Sequence, residues 1–554
     1  MDVPVWAPNA DLVSVRVHPQ HGGDAPADHA LERSDDGWWH GDLPLELGQL
    51  YRLVIRRGDE EFERIDPLAR EVTNSVGHSI LRAIEPFDRS EFDAAPVHEW
   101  VLYELHPGTF GGDLDGVIEH LDHLVVLGIT AIELMPVSEF AGELSWGYNP
   151  ALPYAVESSY GGPDAMKRLV AACHGRGIAV IVDVVYNHLG PSDLDLWRFD
   201  GWSEGDGGGI YFYNDERATT PWGDTRPDYG RPEVCEFLIG NARMWFREYG
   251  VDGLRLDSTI NVRNIDGTGD ASRDLEAGRA FLQQLNDTVH AEYPFAVMIA
   301  EDLLDDPSLT TATSEGGLGF DLQWAAGFVH PVRAALTALT DEERDLDSVV
   351  AAVVGGDDRD RRVVYTESHD EVANGSTRVP SEIDEAAPDS VHAFRRSVLG
   401  AVLMMAAPGV PMLFQGQEWG HDDWFHDDKP IDWTQPDERP GTVALWRDLV
   451  RLRTSDPRTG GMRGDQLDAS VEGSAVIIRR WGIGGPETAT VVAINLADDD
   501  IDHVDLHLGD ADGWEIVFAS DWSGYHPTGS DLAVLVEGGC ALSGYGAVIA
   551  CRAS

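Results

Sequence analysis

The stretch GVDGLRLDST, residues 250–259, combines the features of a buried strand with two full charges. Leu254 and Leu256 are apolar, yet Arg255 and Asp257 alternate with them. Because burying an unpaired charge is very costly, these charges should be paired, exposed at a strand end, or used in chemistry. Side chains two apart on a strand share a face, so Arg255 and Asp257 should point together, away from the two leucines.

The segments around this stretch alternate short apolar strands with helical patterns. Eight strand candidates occur in order: VLYEL (101–105), AIELMPV (131–137), AVIVDVV (179–185), VDGLRLD (251–257), AVMIAED (296–302), GFDLQW (319–324), RVVYTESHD (362–370) and PMLFQGQEW (411–419). Alternating βα units indicate a parallel sheet, and eight of them in about 350 residues predict a closed (β/α)8 TIM barrel. An open doubly wound sheet is the alternative.

Both flanks of this region have the alternating pattern of short strands with turns. The clearest strand candidates are LVSVRVH (12–18), QLYRLVIRRG (49–58), SAVIIRRWG (474–482), ATVVAINLA (489–497) and AVIACRAS (547–554). We therefore predict an N-terminal β-sandwich over 1–95, the (β/α)8 barrel over 96–456 and a C-terminal β-sandwich over 457–554.

The charge balance excludes several classes of partner. The chain of 554 residues carries 40 basic and 97 acidic residues, a net charge of −57, and its only lysines are Lys167 and Lys429. Such a surface repels nucleic acids and anionic membranes. We predict a salt-adapted protein from a halophile; an acidic protein from a low-salt cell is the alternative, although self-repulsion would destabilise it.

The cysteines and the hydropathy of the chain indicate in which cellular compartment the protein is expected. The four cysteines form no CxxC pair, which argues against a zinc site and a disulfide framework. The start MDVPVWAPNA lacks the features of a signal peptide, and no apolar run of 18 residues occurs. We expect a cytoplasmic protein that is not embedded in a membrane.

Charged residues end four of the predicted strands. Asp183 comes from the third strand, Asp257 from the fourth, Glu301 from the fifth and Asp370 from the seventh. Active sites of such barrels lie at the C-terminal strand ends, so these carboxylates should converge. Carboxylates that share a cleft have separated pKa values, so one can act as an acid while another stays ionised beside Arg255. That equipment suits cleavage of a glycosidic bond.

Two other interpretations of these strand ends stay open. The charges could form buried ion pairs that only hold the barrel closed, or Asn187 and Asp183 could hold calcium. No acidic loop of suitable spacing supports calcium, so we predict no metal and no cofactor. Aromatic residues suited to sugar faces flank the same loops: Trp146, Tyr148, Trp222, Trp324, Trp419, Trp424 and Phe425. Of these, Tyr148 is better placed than most.

The strand ends resemble the four sequence regions of the alpha-amylase superfamily, glycoside hydrolase family 13. The matching motifs are DVVYNH (183–188), GLRLD (253–257), IAED (299–302) and SHD (368–370). The resemblance implies a retaining mechanism with Asp257 as nucleophile, Glu301 as acid/base and Asp370 as the carboxylate that orients the sugar. It also implies a donor-sugar subsite lined by Tyr148, Asp183, His188, Arg255 and His369.

Further motifs resemble two groups within that superfamily. VWAPNADLVSVRVH (5–18) resembles the N-terminal carbohydrate-binding module of glycogen branching enzymes, and SHDEV (368–372) also resembles these enzymes. LPYAVESSYGGP (152–163) and TPWGD (220–224) resemble malto-oligosyltrehalose trehalohydrolases.

Three functions follow from these resemblances. The first is a 1,4-alpha-glucan branching enzyme, which passes a cut chain to a 6-hydroxyl. The second is a hydrolase of the same superfamily, of the malto-oligosyltrehalose trehalohydrolase or alpha-amylase type. It would act on an α-glucan or malto-oligosaccharide and release trehalose or malto-oligosaccharides with water as acceptor. The third is a non-catalytic glucan-binding protein, which should lack a member of the catalytic trio, whereas all three carboxylates are present. The oligomeric state is not predicted.

Overall fold

Eight parallel strands close into a barrel in the computed structural model, which describes residues 3–19, 25–43, 45–508, 512–531 and 533–553. The strands are β1 (Leu102–Leu105), β2 (Ala131–Leu134), β3 (Ala179–Val184), β4 (Gly253–Leu256), β5 (Val297–Ala300), β6 (Leu322–Trp324), β7 (Arg362–Val364) and β8 (Val410–Phe414). β8 pairs with β1, where Met412 lies opposite Leu102. The predicted (β/α)8 barrel is therefore confirmed, and the sheet is closed rather than open.

Helices surround the barrel between successive strands. They span Pro107–Phe110, Leu114–Leu127, Gly162–His174, Pro232–Met244, Thr259–Arg263, Glu276–Glu292, Ala326–Thr337, Leu346–Val354, Val379–Ile383, Val391–Ala406, Gln435–Glu438 and Pro440–Thr454. The helix Leu114–Leu127 illustrates why they form: the Asp113 side chain caps its first turn by accepting from the Gly116 N–H at 2.7 Å. It ends at Gly128, whose φ of 92° is left-handed.

The alternation of side chains along the strands divides the barrel into an interior and an exterior. Leu254 and Val182 pack outward against the helices, whereas Ile181 and Ile299 pack inside the barrel. Strand register sets Asp183 beside Arg255 on neighbouring strands. Polar side chains of β3 and β4 therefore share one layer inside the barrel, near the C-terminal strand ends.

The N-terminal region consists of short antiparallel strands. They span Val5–Trp6, Leu12–Val17, Ala27–Ala30, Glu32–Arg33, Trp38–His40, Leu50–Arg57, Glu60–Arg64, Glu71–Val72 and Ser79–Ile80, arranged in two sheets. Val13, Leu53 and Trp39 share one apolar core, which also takes in Phe199 and Phe212 from the long loop after β3. The region is thereby packed onto a loop of the barrel.

The C-terminal region also contains two antiparallel sheets. Its strands are Gln466–Glu472, Ala475–Trp481, Thr490–Asn495, Ile501–Asp505, Trp514–Ala519, Gly539–Leu542 and Ala547–Arg552. Ile477 and Val491 of the five-stranded sheet share a core with Val504 and Leu542 of the two-stranded sheet. The predicted sheet domains on both flanks are confirmed, while their boundaries at 95/96 and 456/457 stay predictions. Within the described residues, no helix is long and apolar enough to cross a membrane.

Candidate active site

Arg255 is the centre of the polar network at the C-terminal strand ends. Its Nη1 donates to Asp183 Oδ2 at 2.6 Å and to Asp257 Oδ1 at 3.0 Å, and its Nη2 lies 3.7 Å from Glu301 Oε2. Of the possibilities for the charge of Arg255, exposure at a strand end is excluded, because Arg255 is fully buried. Asp183 and Asp257, which both accept from its guanidinium, compensate its charge instead.

Asp257 directly follows β4 and is fixed by two donors. Asn187 Nδ2 donates to Asp257 Oδ2 at 2.7 Å and to its backbone carbonyl at 2.8 Å. The other oxygen accepts from Arg255. In the parts of the chain that the structure describes, no group of three or more His, Cys, Asp or Glu could hold a metal ion.

Glu301 follows β5 and is positioned by the turn after β4. Ser258 adopts a left-handed conformation with φ of 41°, uncommon for a residue other than glycine, and its N–H donates to Glu301 Oε2 at 2.7 Å. Burial raises the pKa of Glu301 to about 8, against the opposing charge of Arg255 and with support from Asp257 and Asp370. Glu301 therefore carries a proton at neutral pH.

His369 and Asp370 follow β7 as an ion pair beside this cluster. His369 Nδ1 lies 2.5 Å from Glu104 Oε1, and His369 Nε2 lies 3.4 Å from Asp370 Oδ2. Although burial opposes it, the charges of Asp370 and Glu104 raise the pKa of His369 well above its usual value. Although the Asp370 carboxyl is partly desolvated, the charge of His369 and its hydrogen bond lower the pKa of Asp370 to about 2. Asp370 is thus a carboxylate, and its side chain is 57% exposed.

Tyr148 and His188 line the same opening. The Tyr148 hydroxyl donates to Asp183 Oδ2 at 2.5 Å, and its ring stacks on His369 with centroids 4.9 Å apart. His188 Nε2 lies 2.8 Å from the Tyr148 carbonyl, and the His188 ring stacks on Trp222 at 4.7 Å. The eight predicted site residues are therefore gathered at one end of the barrel.

The flanking aromatic residues differ in their surroundings. Trp222 and Trp424 are 44% and 46% exposed, so a ligand can reach their rings. Trp324 and Trp419 are buried. The Trp324 ring lies inside the barrel, 4.5 Å from the Arg255 guanidinium carbon, where it supports the cation instead of facing a sugar.

The sequence analysis missed two carboxyl groups inside the barrel. Glu104 of β1 lies opposite Glu133 of β2, and Glu104 accepts from the His369 backbone N–H at 3.1 Å. Both oxygens of Glu133 are buried without a hydrogen-bond partner among the described residues, and burial, with Glu104 nearby, raises its pKa well above the usual range. The signal that identified Arg255 was a charged residue within an apolar strand. The same signal is present in VLYEL and AIEL, and it could have identified Glu104 and Glu133.

The resulting arrangement has the components of glycosidic bond cleavage. A protonated carboxyl, Glu301, and a carboxyl group with two donors, Asp257, both contact Arg255. A protonated carboxyl can donate to a leaving oxygen while a carboxylate attacks the anomeric carbon. Asp370 adds a second negative charge at the open side of the cleft.

Comparisons with known proteins agree with this geometry. Residues 72–198 and 223–454 match the family model "Alpha amylase, catalytic domain", and residues 1–69 match "Carbohydrate-binding module 48 (Isoamylase N-terminal domain)". A malto-oligosyltrehalose trehalohydrolase of Saccharolobus solfataricus is 32% identical over 76% of this chain and 74% of its own length. A 1,4-alpha-glucan branching enzyme GlgB of Corynebacterium jeikeium is 31% identical over 95% of this chain and 76% of its own.

The fold also has solved counterparts. A pullulanase of an Anoxybacillus species, solved with maltotetraose, superposes with a TM-score of 0.79 at 20% identity, over 100% of this chain and 86% of that one. At this level of identity the likeness concerns the fold alone. Since the catalytic-domain model matches most of the chain and relatives above 30% identity align along most of their length, this protein is an enzyme of the alpha-amylase family.

Proposed function

We propose that this protein is a retaining α-glucan-active enzyme with Asp257 as nucleophile and Glu301 as acid/base. The observation that carries the proposal is that Asp257 and Glu301 contact the same buried guanidinium, Arg255, at 3.0 and 3.7 Å. One cation thereby aligns the attacking and the proton-donating group on a shared site. The match to the alpha-amylase catalytic domain supports an α-glucan as substrate.

The proposed reaction has two steps. Glu301, protonated because its pKa is raised to about 8, gives its proton to the glycosidic oxygen as Asp257 attacks the anomeric carbon. The bond to the leaving sugar breaks and a glycosyl ester forms on Asp257. Glu301, now ionised, takes a proton from the acceptor hydroxyl, which attacks the same carbon and releases Asp257.

The remaining residues would bind and orient the donor sugar. Asp370, kept ionised by His369, is positioned for the sugar hydroxyls on the open side. Tyr148 offers an aromatic face, and His188 extends the wall together with the exposed Trp222. Asp183 anchors both Tyr148 and Arg255, so its main part is to fix the orientation of these two side chains.

For the acceptor, we propose transfer to a 6-hydroxyl, as in a 1,4-alpha-glucan branching enzyme. The support is the extent of the likeness: two relatives with that name align over 95% and 96% of this chain. Hydrolysis in the manner of a trehalohydrolase is the second candidate, because relatives with that name reach 32% identity, although over about three quarters of the chain. We also propose a cytoplasmic, high-salt setting, on the charge of −57.

Incubation with amylose at high salt separates these candidates. Branching should weaken the iodine stain with few new reducing ends, whereas hydrolysis should raise reducing ends in step with the loss of stain. Release of trehalose from malto-oligosyltrehalose would identify the second candidate. The Asp257→Asn protein serves as the inactive control, and an absence of any change in α-glucans with the unaltered protein would contradict the proposal.

A further inference from the structure

A cavity outside the active site lies between the barrel and the C-terminal region. Its volume of about 610 Å³ falls within the range of about 300–1,000 Å³ typical of ligand pockets. One wall comes from the helices Val391–Ala406 and Pro440–Thr454, and another from the loop 523–527. Thr366 and Gln417, which follow β7 and β8, also line it, so part of the cavity lies at the end of the barrel that carries the active site.

Aromatic residues form part of the cavity walls, and direct contacts hold several wall residues in place. Phe394 of the barrel and His526 of the C-terminal loop lie with ring centroids 5.0 Å apart. The Tyr525 hydroxyl donates to Asp448 at 2.9 Å. A Cβ on Gly441 would lie 2.2 Å from the Tyr525 carbonyl oxygen, so the two backbones pack in direct contact. The cavity is therefore enclosed by residues whose positions are fixed by contacts between the barrel and the C-terminal region.

The charges around the cavity select against anions. Among the described residues that line it, Arg439 has the only permanent positive charge, and it is engaged by the Gly420 carbonyl at 2.5 Å and by Asp422 at 3.5 Å. Burial lowers the pKa of His421, to about 4, and burial also lowers that of His526, so neither is a cation at neutral pH. The nearby carboxyl groups would repel a phosphate.

The same cavity offers donors and apolar faces to a neutral ligand. Thr442 contributes a hydroxyl to the lining, whereas Trp419 lies behind the cavity wall and is fully buried. The half-buried rings of Phe394 and His526 contribute apolar surface. Ring faces combined with a few polar groups suit the alternating apolar and hydroxyl surfaces of a neutral sugar.

We propose that this cavity is a second α-glucan-binding site, which takes a short neutral malto-oligosaccharide segment at the junction of the barrel and the C-terminal region. The identity of the ligand rests on the proposed function. A segment bound here lies at the active-site end of the barrel, so the site would hold a remote part of a long chain during reaction. Long substrates should therefore depend on it, whereas substrates too short to reach it should not.

The test uses the full chain with Asp257→Asn, so that binding is measured without turnover. Titration calorimetry with maltoheptaose measures how many ligand molecules each protein molecule binds. Phe394→Ala and His526→Ala are each expected to lower this number by one. His503→Ala, an exposed histidine in the same C-terminal region, is the matched control and should not lower it. Ser397→Trp fills the cavity from the barrel helix and provides an independent variant, with circular dichroism as the check of folding.

Activity gives the second readout. With Asp257 intact, Phe394→Ala and His526→Ala should raise the KM for amylose several-fold and leave kcat on maltotetraose unchanged. Glucose 6-phosphate should not compete with maltoheptaose at this site, and competition would overturn the neutral class of ligand. If the Asp257→Asn protein binds maltoheptaose but all three cavity variants bind the same number of ligand molecules, the inference fails while the proposed function stands. If the Asp257→Asn protein binds no α-glucan and the unaltered protein does not change any, the proposed function is contradicted, and the inference that rests on it falls as well.

Discussion

Replacing Glu301 by Gln is expected to stabilise the protein at alkaline pH while it removes most of the activity. The folded-state pKa of Glu301, about 8, lies above the ordinary value of 4.5, so the folded protein binds a proton that the unfolded chain releases between these values. The contribution of Glu301 to stability is complete below about pH 4.5 and is lost as the pH rises to about 8. Glutamine does not titrate between these pH values, so the Glu301→Gln protein should not lose this stability as the pH rises.

The size of the effect follows from the pKa difference. The interval from 4.5 to about 8 corresponds to at most about 5 kcal/mol, since each pKa unit is worth about 1.4 kcal/mol. The Ser258 N–H, which donates to Glu301 Oε2 at 2.7 Å, can still donate to the amide oxygen of glutamine. Loss of the proton donor should lower kcat by about 10²–10⁴-fold.

Denaturant melts at about pH 5 and about pH 9, together with kcat at each pH, test this expectation. Glu301→Gln should gain stability relative to the unaltered protein at the higher pH only. Glu367→Gln is the matched control, because Glu367 is equally buried but pairs with Arg378 at 2.9 Å. Leaving that guanidinium unpaired should cost about 3–5 kcal/mol at both pH values. If Glu301→Gln destabilises the protein equally at both pH values, the assignment of a buried, protonated Glu301 is refuted.

Three further predictions concern the nucleophile, the barrel interior and the surface. Asp257→Asn should abolish turnover with an unchanged circular dichroism spectrum, and retained activity would remove Asp257 from its proposed role. Glu133→Gln should leave kcat within a few-fold, because burial already favours a neutral Glu133, whereas Glu133→Ala should lower the free energy of unfolding by about 2 kcal/mol or more. Equal damage by both substitutions would contradict a neutral Glu133. Transfer from molar to low salt should lower the melting temperature, because the net charge of −57 is then poorly screened; an unchanged melt would count against salt adaptation.

The barrel could be predicted because its signals are local. Each strand is a short apolar run, and the alternation of Arg255 with Leu254 and Leu256 correctly placed the charged side chains and the leucines on opposite faces of the strand. The convergence of the strand-end charges follows from the closed parallel topology. What the local pattern could not supply is burial: Arg255 is enclosed by residues from other strands, and its surroundings depend on tertiary packing.

The rest of the site depends on contacts between distant segments. Glu104 supports His369 across 265 positions of the chain, and nothing in VLYEL alone identifies that partner. Ser258 adopts a left-handed conformation although it is not a glycine, so the sequence gives no local sign of this turn. The hydrogen bond from its N–H to Glu301, a residue of the next strand end, stabilises the turn. The cavity outside the active site lies where the C-terminal loop meets a barrel helix, so no single motif of the sequence predicts it.

Trapping the covalent intermediate tests the central claim most directly. The Glu301→Gln protein is given a maltosyl fluoride, whose leaving group needs no acid, so the first step can proceed while the second lacks its base. Digestion and mass spectrometry should then find one glycosyl group on the peptide that contains Asp257, and none in the Asp257→Asn, Glu301→Gln double variant. Consumption of the donor without an adduct, or an adduct on another residue, would contradict the account.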